Sequence, residues 1–398
     1  VKNQGLTEQT VSEEFDKTFG YTPTGVWSAP GRVNLMGEHT DYNQGFVFPF
    51  AINKRTFAAV ALRQDSLCRV ASSFAPGIQE INLLDISPES VRDWEAYPFG
   101  VAWALMNISP QLSEKPGAAH PRNFKGFDIF IASEVPVGAG LSSSAALECS
   151  VGVALNELWD LGLNEAALAQ AGHLAENQIV GVPSGIMDQT ASMLGQEDHG
   201  IFLDCRSLEA QAIKLGFVEN GLELLIIDTT VAHRHSSGGY SSRRNSCELG
   251  ATLLGVSSLR DLTVDDLPRA SKLLDDETFR RVHHIITENQ RVLEVVDALQ
   301  DRGPGAMAHL MYESHLSMRD NFEISIPELN TAVETALLFG ALGARMTGGG
   351  FGGAAIALTP LEKVSAVMTA VKNEFEVLGY AQPNIFTVSA SFGARRES

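Results

Sequence analysis

The sequence predicts a two-domain α+β protein. Its 398 residues are enough for two buried cores. Strand-like runs rich in Val and Phe come first and give way to helical patterns over residues 143–180. Strand and helix patterns then alternate a second time beyond about residue 210. Hydrophobic residues make up 44% and charged residues 19%, the balance of a folded globular chain.

Residues 7–19 predict an amphipathic helix, with Val11, Phe15 and Phe19 at helical spacing. GVWSAPGRVNL, FVFPFAI, TFAAVALR and LCRVASSF read as strands of a first sheet, punctuated by Pro, Gly and Asn. FDIFIASEVP is a further strand, and GIFLDC and LELLIIDT bring strands back after the helices. A long helix is predicted over 279–300, carrying Val282, Ile285, Ile286, Val292, Leu293 and Val296. GARMTGGGFGGAAIAL and NIFTVSAS close the chain as strands around a glycine turn. A surface loop is expected over 110–123, where Pro110, Pro116, Gly117 and Pro121 fall. The layout divides the chain into domains 1–210 and 211–398, with the boundary inside 205–220 and the last strand free to pack back on the first domain.

A net charge of −19 argues against a nucleic-acid or anionic-membrane surface, which would need clustered Lys and Arg. Any anionic ligand is therefore held locally, by backbone N–H groups and a few placed cations. Cys68, Cys149, Cys205 and Cys247 lack metal or disulfide spacing and read as core thiols of a reducing compartment. The opening residues form no signal peptide and no apolar run reaches membrane-spanning length, so a soluble, cytoplasmic protein is expected.

Four segments carry chemistry. In VPVGAGLSSSAALE, residues 135–148, Gly138 and Gly140 let the backbone approach a ligand and adopt positive φ. A strand entering and a helix leaving make an anion site from N–H groups and the helix dipole. Ser142 or Ser143 is placed to cap that helix, and the hydroxyls add phosphate donors or an Mg²⁺ ligand. The lysine of a Walker A loop is absent, and the loop alone fits a ligand-free helix start equally well. APGRVNLMGEHTDYNQG, residues 29–45, gathers Arg32, Glu38, His39 and Asp41 between glycines, and such carboxylates suit a polyhydroxylated ligand. The alternative is a solvated polar turn. AENQIVGVPSGIMDQTAS, residues 175–192, holds Glu176 and Asp188. Asp188 reads as a base or charge stabiliser needing a cation such as Arg32, or as a helix N-cap. TGGGFGGAAIAL, from residue 347, implies tight backbone packing or a loop pressed on a ligand, against a bare glycine hairpin.

In order, these segments resemble the GHMP small-molecule kinase superfamily. GRVNLMGEHTDYN, YSSRRNSCE at 240–248 and SHLSMRDNFEISIPELN at 314–330 resemble its galactokinase family most closely, over nearly the whole chain. The resemblance implies the GHMP kinase fold, with an active site in the cleft between an N-terminal mixed α/β domain and a C-terminal ferredoxin-like α+β domain. It implies phosphorylation of the anomeric hydroxyl of α-D-galactose by ATP as co-substrate with Mg²⁺ as cofactor. Glu38, His39, Thr40 and Asp41, with Gly185 and Tyr240, would hold the sugar. Asp188 would face the C1 hydroxyl, with Arg32 between it and the transferred phosphoryl group. Gly138, Ala139, Gly140, Leu141, Ser142, Ser143 and Ser144 would wrap the ATP phosphates, and Ser144 and Glu176 would coordinate Mg²⁺. Thr347, Gly348, Gly349, Gly350, Gly352 and Gly353 would support the sugar and the phosphate loop from the second domain.

The expected partners are a small sugar and a nucleotide, not nucleic acid or membrane, and a monomer is expected. The rivals are a galactose and ATP sensor without catalysis, a kinase for another sugar, and more distantly a decarboxylase of the superfamily. His233, His235, His283 and His284 read as structural, Trp94 and Trp103 as packing, and Ser72 or Ser73 as neighbours of the nucleotide base.

Overall fold

A computed structural model describes residues 5–112, 124–231 and 236–398. Its strands are β1 (Gly25–Asn34), β2 (Phe46–Val47), β3 (Pro49–Leu62), β4 (Leu67–Ser72), β5 (Gln79–Asn82), β6 (Phe127–Ser133), β7 (His199–Asp204), β8 (Ala210–Lys214), β9 (Leu222–Asp228), β10 (Gly343–Thr347), β11 (Ala354–Pro360), β12 (Asn384–Val388) and β13 (Arg395–Arg396). The helices are α1 (Glu8–Phe19), α2 (Ala96–Leu112), α3 (Ser143–Leu158), α4 (Glu165–Ala175), α5 (Met187–Leu194), α6 (Ser236–Leu254), α7 (Leu267–Leu273), α8 (Asp276–Arg302), α9 (Ala308–Ser317), α10 (Pro327–Leu338) and α11 (Val364–Leu378).

The first sheet runs β13-β1-β3-β6-β4-β5. Both faces are covered. Val11 and Phe15 of α1 pack with Val26, Phe57 and Phe130 on one side, while α2 to α5 build the larger core on the other. Burial on both faces explains why β1 is buried at every position, Ser28, Arg32 and Asn34 included. The two predicted strands FVFPFAI and TFAAVALR are mostly one element. β3 continues through Asn53, Lys54 and Arg55, polar residues that suggested a break: Arg55 pairs with Pro30 of β1, and the Asn53 N–H donates to the Ser389 carbonyl at 3.1 Å. The β1–β3 register shifts between Pro30 and Arg32, whose partners are Arg55 and Ala51, so the extra residues of the irregularity lie on β3. A Cβ on Gly31 would come within 2.6 Å of the Leu141 carbonyl, so only glycine lets the strand pass this close to the serine loop.

The second sheet runs β10-β11-β9-β12, fully antiparallel, which is the strand order of a ferredoxin-like fold. A three-stranded sheet, β2-β7-β8, joins the two. Its pairing crosses residue 210, since β8 is hydrogen-bonded to β7. A third core mixes Val33, Leu35 and Phe50 with Leu224, Ile226, Val292 and Ile356, so the halves share apolar surface. β13 returns to the first sheet, Trp27 opposite Arg396 and Ser28 opposite Arg395.

The long predicted helix is α8, capped by Asp275, whose carboxylate accepts from the N–H groups of Glu277 and Thr278 at 3.0 Å. Residues 110–112, expected in a loop, are the last turn of α2, and 113–123 lie outside the described residues, as do His233 and His235. Trp94 and Trp103 pack against the first core. Among the described residues, no helix is long and apolar enough to cross a membrane.

Candidate active site

Two neighbouring cavities meet where the serine loop, the acidic loop and the glycine turn converge. A cavity of about 170 Å³ is lined by Glu38, His39, Asp41, Gly185, Tyr240 and Gly349, among others. A second, of about 370 Å³, is lined by Gly138, Gly140, Leu141, Ser142, Ser143 and Ser144. Arg32, Glu176, Val182, Asp188, Tyr240 and Gly349 line both. A larger hollow of about 480 Å³ shares Asp41, Ser184 and Gly185 but contains neither Asp188 nor the loop serines.

Asp188 and Arg32 form the centre. The guanidinium donates from Nε to Asp188 Oδ1 at 2.8 Å and from Nη2 to Oδ2 at 3.1 Å, a two-point pair that fixes both planes. Its Nη1 donates to the Gly140 carbonyl at 2.6 Å, tying the pair to the serine loop. Arg32 is 5% exposed, whereas the Asp188 side chain keeps 27% of its surface, so the carboxylate is the open member. Asp188 lies in the first turn of α5, whose N-cap is Ile186, which sets aside the capping role.

Neither loop serine caps α3. Ser142 occupies the N-cap position with φ 56° and ψ 50°, whereas a capping side chain needs extended backbone. The left-handed turn directs its hydroxyl instead to Asp188 Oδ2, at 2.5 Å. Ser144 Oγ faces Glu176 Oε1 at 3.3 Å. Glu176 sits on a π-turn after α4 and also accepts from Ser184 Oγ at 2.5 Å and Gln189 Nε2 at 2.9 Å. Burial pushes its carboxyl above the usual range. A hydroxyl beside one buried carboxylate is a hard-oxygen donor pair that fits Mg²⁺ held jointly with phosphate oxygens. Among the described residues no group of three His, Cys, Asp or Glu could hold an ion alone. Ala139 and Leu141 turn their side chains into the shared core.

The acidic loop is less uniform than its sequence suggests. Asp41 lines the cavity, and burial followed by the charge of Asp188 pushes its carboxyl up to about 7. Glu38 is buried and held by the second domain, its Oε1 accepting from Gly348 N at 2.8 Å and Thr347 Oγ1 at 3.3 Å. His39, at φ 65°, has both ring nitrogens engaged. A carbonyl oxygen only accepts, so Nε2–H donates to Gly349 O at 3.1 Å and Nδ1 accepts from Tyr42 OH at 2.9 Å. Burial lowers the ring to about 4, so it is neutral. Thr40 is a correction: it is fully buried and absent from the cavity wall, its hydroxyl facing the carbonyls of Gly37 at 2.8 Å and Phe46 at 2.6 Å. Its hydroxyl closes the loop and is left no donor for a ligand.

The glycine turn backs the serine loop by backbone contact. A Cβ on Gly348 would lie 2.9 Å from the Gly140 carbonyl, and one on Gly140 3.1 Å from that of Thr347. Gly352 and Gly353 stand away from the cavities, the Gly353 carbonyl accepting from Thr229 Oγ1 at 2.7 Å. Neither Ser72 nor Ser73 lines the serine-loop cavity, and Ser72 Oγ accepts from Ala75 N at 3.1 Å. Ser184, Val182 and Tyr97 line the cavities and were not singled out from sequence. Ser184 could have been found beside Gly185, whereas nothing in the pattern around Tyr97 marks it.

Residues 13–62 match the galactokinase galactose-binding signature, 97–196 the GHMP kinases N terminal domain and 295–377 the GHMP kinases C terminal. The chain is 47% identical over 390 residues to a galactokinase of Streptomyces coelicolor, covering 97% of this chain and 98% of that one. It is 41% identical to a galactokinase of Glaesserella parasuis, covering 96% and 97%. The crystal structure of Lactococcus lactis galactokinase complexed with galactose superposes with a TM-score of 0.90 at 32% identity, covering 98% and 99% of the two chains. A mevalonate kinase shares the fold, with a TM-score of 0.64 at 18% identity over 92% of this chain and 99% of that one.

Proposed function

The chain belongs to the galactokinase family, and from that membership we propose how its residues divide the transfer of phosphate from ATP to galactose. The smaller cavity takes the sugar and the serine-loop cavity the ATP phosphates, with the anomeric hydroxyl as acceptor. The observation that carries this reading is that Asp188 and Arg32 line both cavities.

In this reading Asp41 and Glu38 accept hydrogen bonds from sugar hydroxyls, with Tyr240 and Gly185 completing the wall. His39, with both ring nitrogens engaged, braces the wall against Gly349. Asp188 orients the anomeric hydroxyl and takes up its proton as the new P–O bond forms. Phosphoryl transfer demands positioning and charge stabilisation more than covalent help. Arg32 supplies both, fixing the carboxylate and placing positive charge beside the incoming phosphoryl oxygens. Backbone N–H groups at the start of α3 hold the phosphates. Ser144 and Glu176 would hold Mg²⁺, which when bound neutralises phosphate charge. A monomer in a reducing cytoplasm completes the reading, in keeping with four free thiols.

The deciding experiment is ADP release by purified protein with MgATP, comparing galactose with glucose, N-acetylgalactosamine, arabinose and no sugar. Turnover with galactose well above the rest is the expected result. Galactose binding without ADP release would replace the kinase by a sensor, and preference for another sugar would move the substrate.

The raised Asp41 carboxyl gives a pH signature. Its ionised fraction grows as pH rises through about 7, so galactose KM is expected to fall between pH 6 and pH 8. Asp41→Asn should remove that slope. In the sugar-free protein the same shift has the opposite sign for stability: its contribution is full in acid and is lost as pH rises through about 7, because ionisation is easier in the unfolded chain. Gly185→Ala is expected to raise galactose KM about tenfold or more with little change for ATP, since the added methyl would run into the Asp41 carboxylate. Separate KM determinations for the two substrates check it.

A further inference from the structure

Helix α8 grips the acidic loop from behind without touching either cavity. Glu288 Oε1 accepts from the N–H of Gly37 at 3.0 Å and, at the edge of range, of Glu38 at 3.4 Å. His284 Nε2–H donates to the Glu38 carbonyl at 3.1 Å, and its Nδ1 accepts from Ser317 Oγ at 2.9 Å. Asn289 Oδ1 accepts from Phe46 N at 2.9 Å. Positions 284 and 288 stack on one helix face with 289 flanking them, and all three side chains are buried, the first two completely. The loop between these attachments carries Glu38, His39 and Asp41.

The attachments are rigid. Ser314 Oγ lies 2.8 Å from Oε1 and 2.9 Å from Oε2 of the Glu288 carboxylate, and Arg291 Nε donates to Oε2 at 2.8 Å. Burial pushes that carboxyl up, but Arg291 and Arg345 outweigh it and keep it ionised. The His284 ring is neutral, lowered by burial to about 3. At Gly37, where φ is +100°, a hypothetical Cβ would lie 2.6 Å from the Phe46 carbonyl and 3.0 Å from Val292 of α8, so the loop backbone is packed between its own next strand and the helix.

We propose that Glu288 is a positioning residue for the sugar site, aided by His284 and Asn289. By fixing the Gly37 and Glu38 N–H groups and the Phe46 N–H, this face of α8 sets the spacing of the groups that meet the sugar hydroxyls. Galactose affinity is thus set in part by side chains that never contact galactose. The inference rests on the assignment of the acidic loop to the sugar.

The test uses the full chain and two variants, with galactose binding measured by calorimetry and KM determined separately for galactose and ATP. Glu288→Gln keeps the side-chain size but has one acceptor oxygen, so an amide NH₂ must face either Gly37 N–H or Arg291. It is expected to raise galactose Kd and KM about tenfold or more, with ATP KM within about twofold and kcat within about threefold. Asn289→Ala removes a single attachment and is expected to shift galactose Kd in the same direction by about threefold to fivefold. It decides the matter if Glu288→Gln does not fold. An unchanged galactose Kd in a folded variant overturns the proposal, as does a parallel rise in both KM values, which marks general loosening. Failure of the parent protein to bind galactose would instead overturn the sugar assignment, and the proposal with it.

Discussion

Replacing Asp188 by asparagine is expected to lower kcat for galactose phosphorylation by about 10³–10⁴-fold while leaving galactose binding measurable. The carboxylate receives Arg32 on both oxygens and Ser142 on one, and it is the partly exposed carboxylate common to the two cavities. An amide of the same shape keeps one acceptor but presents an NH₂ where a donor already points. It also cannot take up the hydroxyl proton. Binding should survive because Asp41, Glu38 and Tyr240 remain. ADP release and galactose calorimetry on the same preparation check both halves, and near-normal turnover would remove Asp188 from the mechanism.

Arg32→Met is expected to lower kcat by about 10²–10³-fold, the range for loss of one stabilising donor in a desolvated site. It also removes hydrogen bonds to Asp188 and to the Gly140 carbonyl, at about 1.5–3 kcal/mol each for bonds involving a charged group. A lower Tm should therefore accompany the lower rate. Because Arg32 and Asp188 act as a unit, the double variant should be little slower than Asp188→Asn alone. Rates that multiply would mean that the two residues act independently.

Much of this site is legible in the sequence where function depends on local backbone. Gly138 and Gly140 adopt the positive φ that glycine permits, and the strand–loop–helix order around them places N–H groups for an anion. Arg32 as the partner of Asp188 follows from the need to balance a carboxylate among apolar neighbours. The two roles that the structure overturns, Thr40 on the sugar and serine capping of α3, have one cause: a hydroxyl that the fold engages elsewhere. Thr40 is engaged by its own loop and Ser142 by Asp188. Glu288, which no motif marks, pairs with Gly37 across 251 positions. No spacing rule reaches that far. The continuity of β3 through Asn53, Lys54 and Arg55 is likewise a tertiary outcome, since Arg55 is buried by donating to Ser28 Oγ at 2.7 Å and to the Phe392 carbonyl at 2.7 Å.

The pairing of β13 with β1 bears on how the protein is made. Ser28 and Glu397 are hydrogen-bonded at 2.6 Å across 369 positions of sequence. At a synthesis rate of roughly 5–20 residues per second, β1 emerges from the ribosome about 20–70 s before its outer neighbour exists. Through that interval the edge of the first sheet presents unpaired N–H and C=O groups, the kind of template on which chains associate wrongly. A nascent chain should thus be most prone to aggregation until β13 emerges, and slowing the codons just ahead of β13 should lengthen its dependence on chaperones.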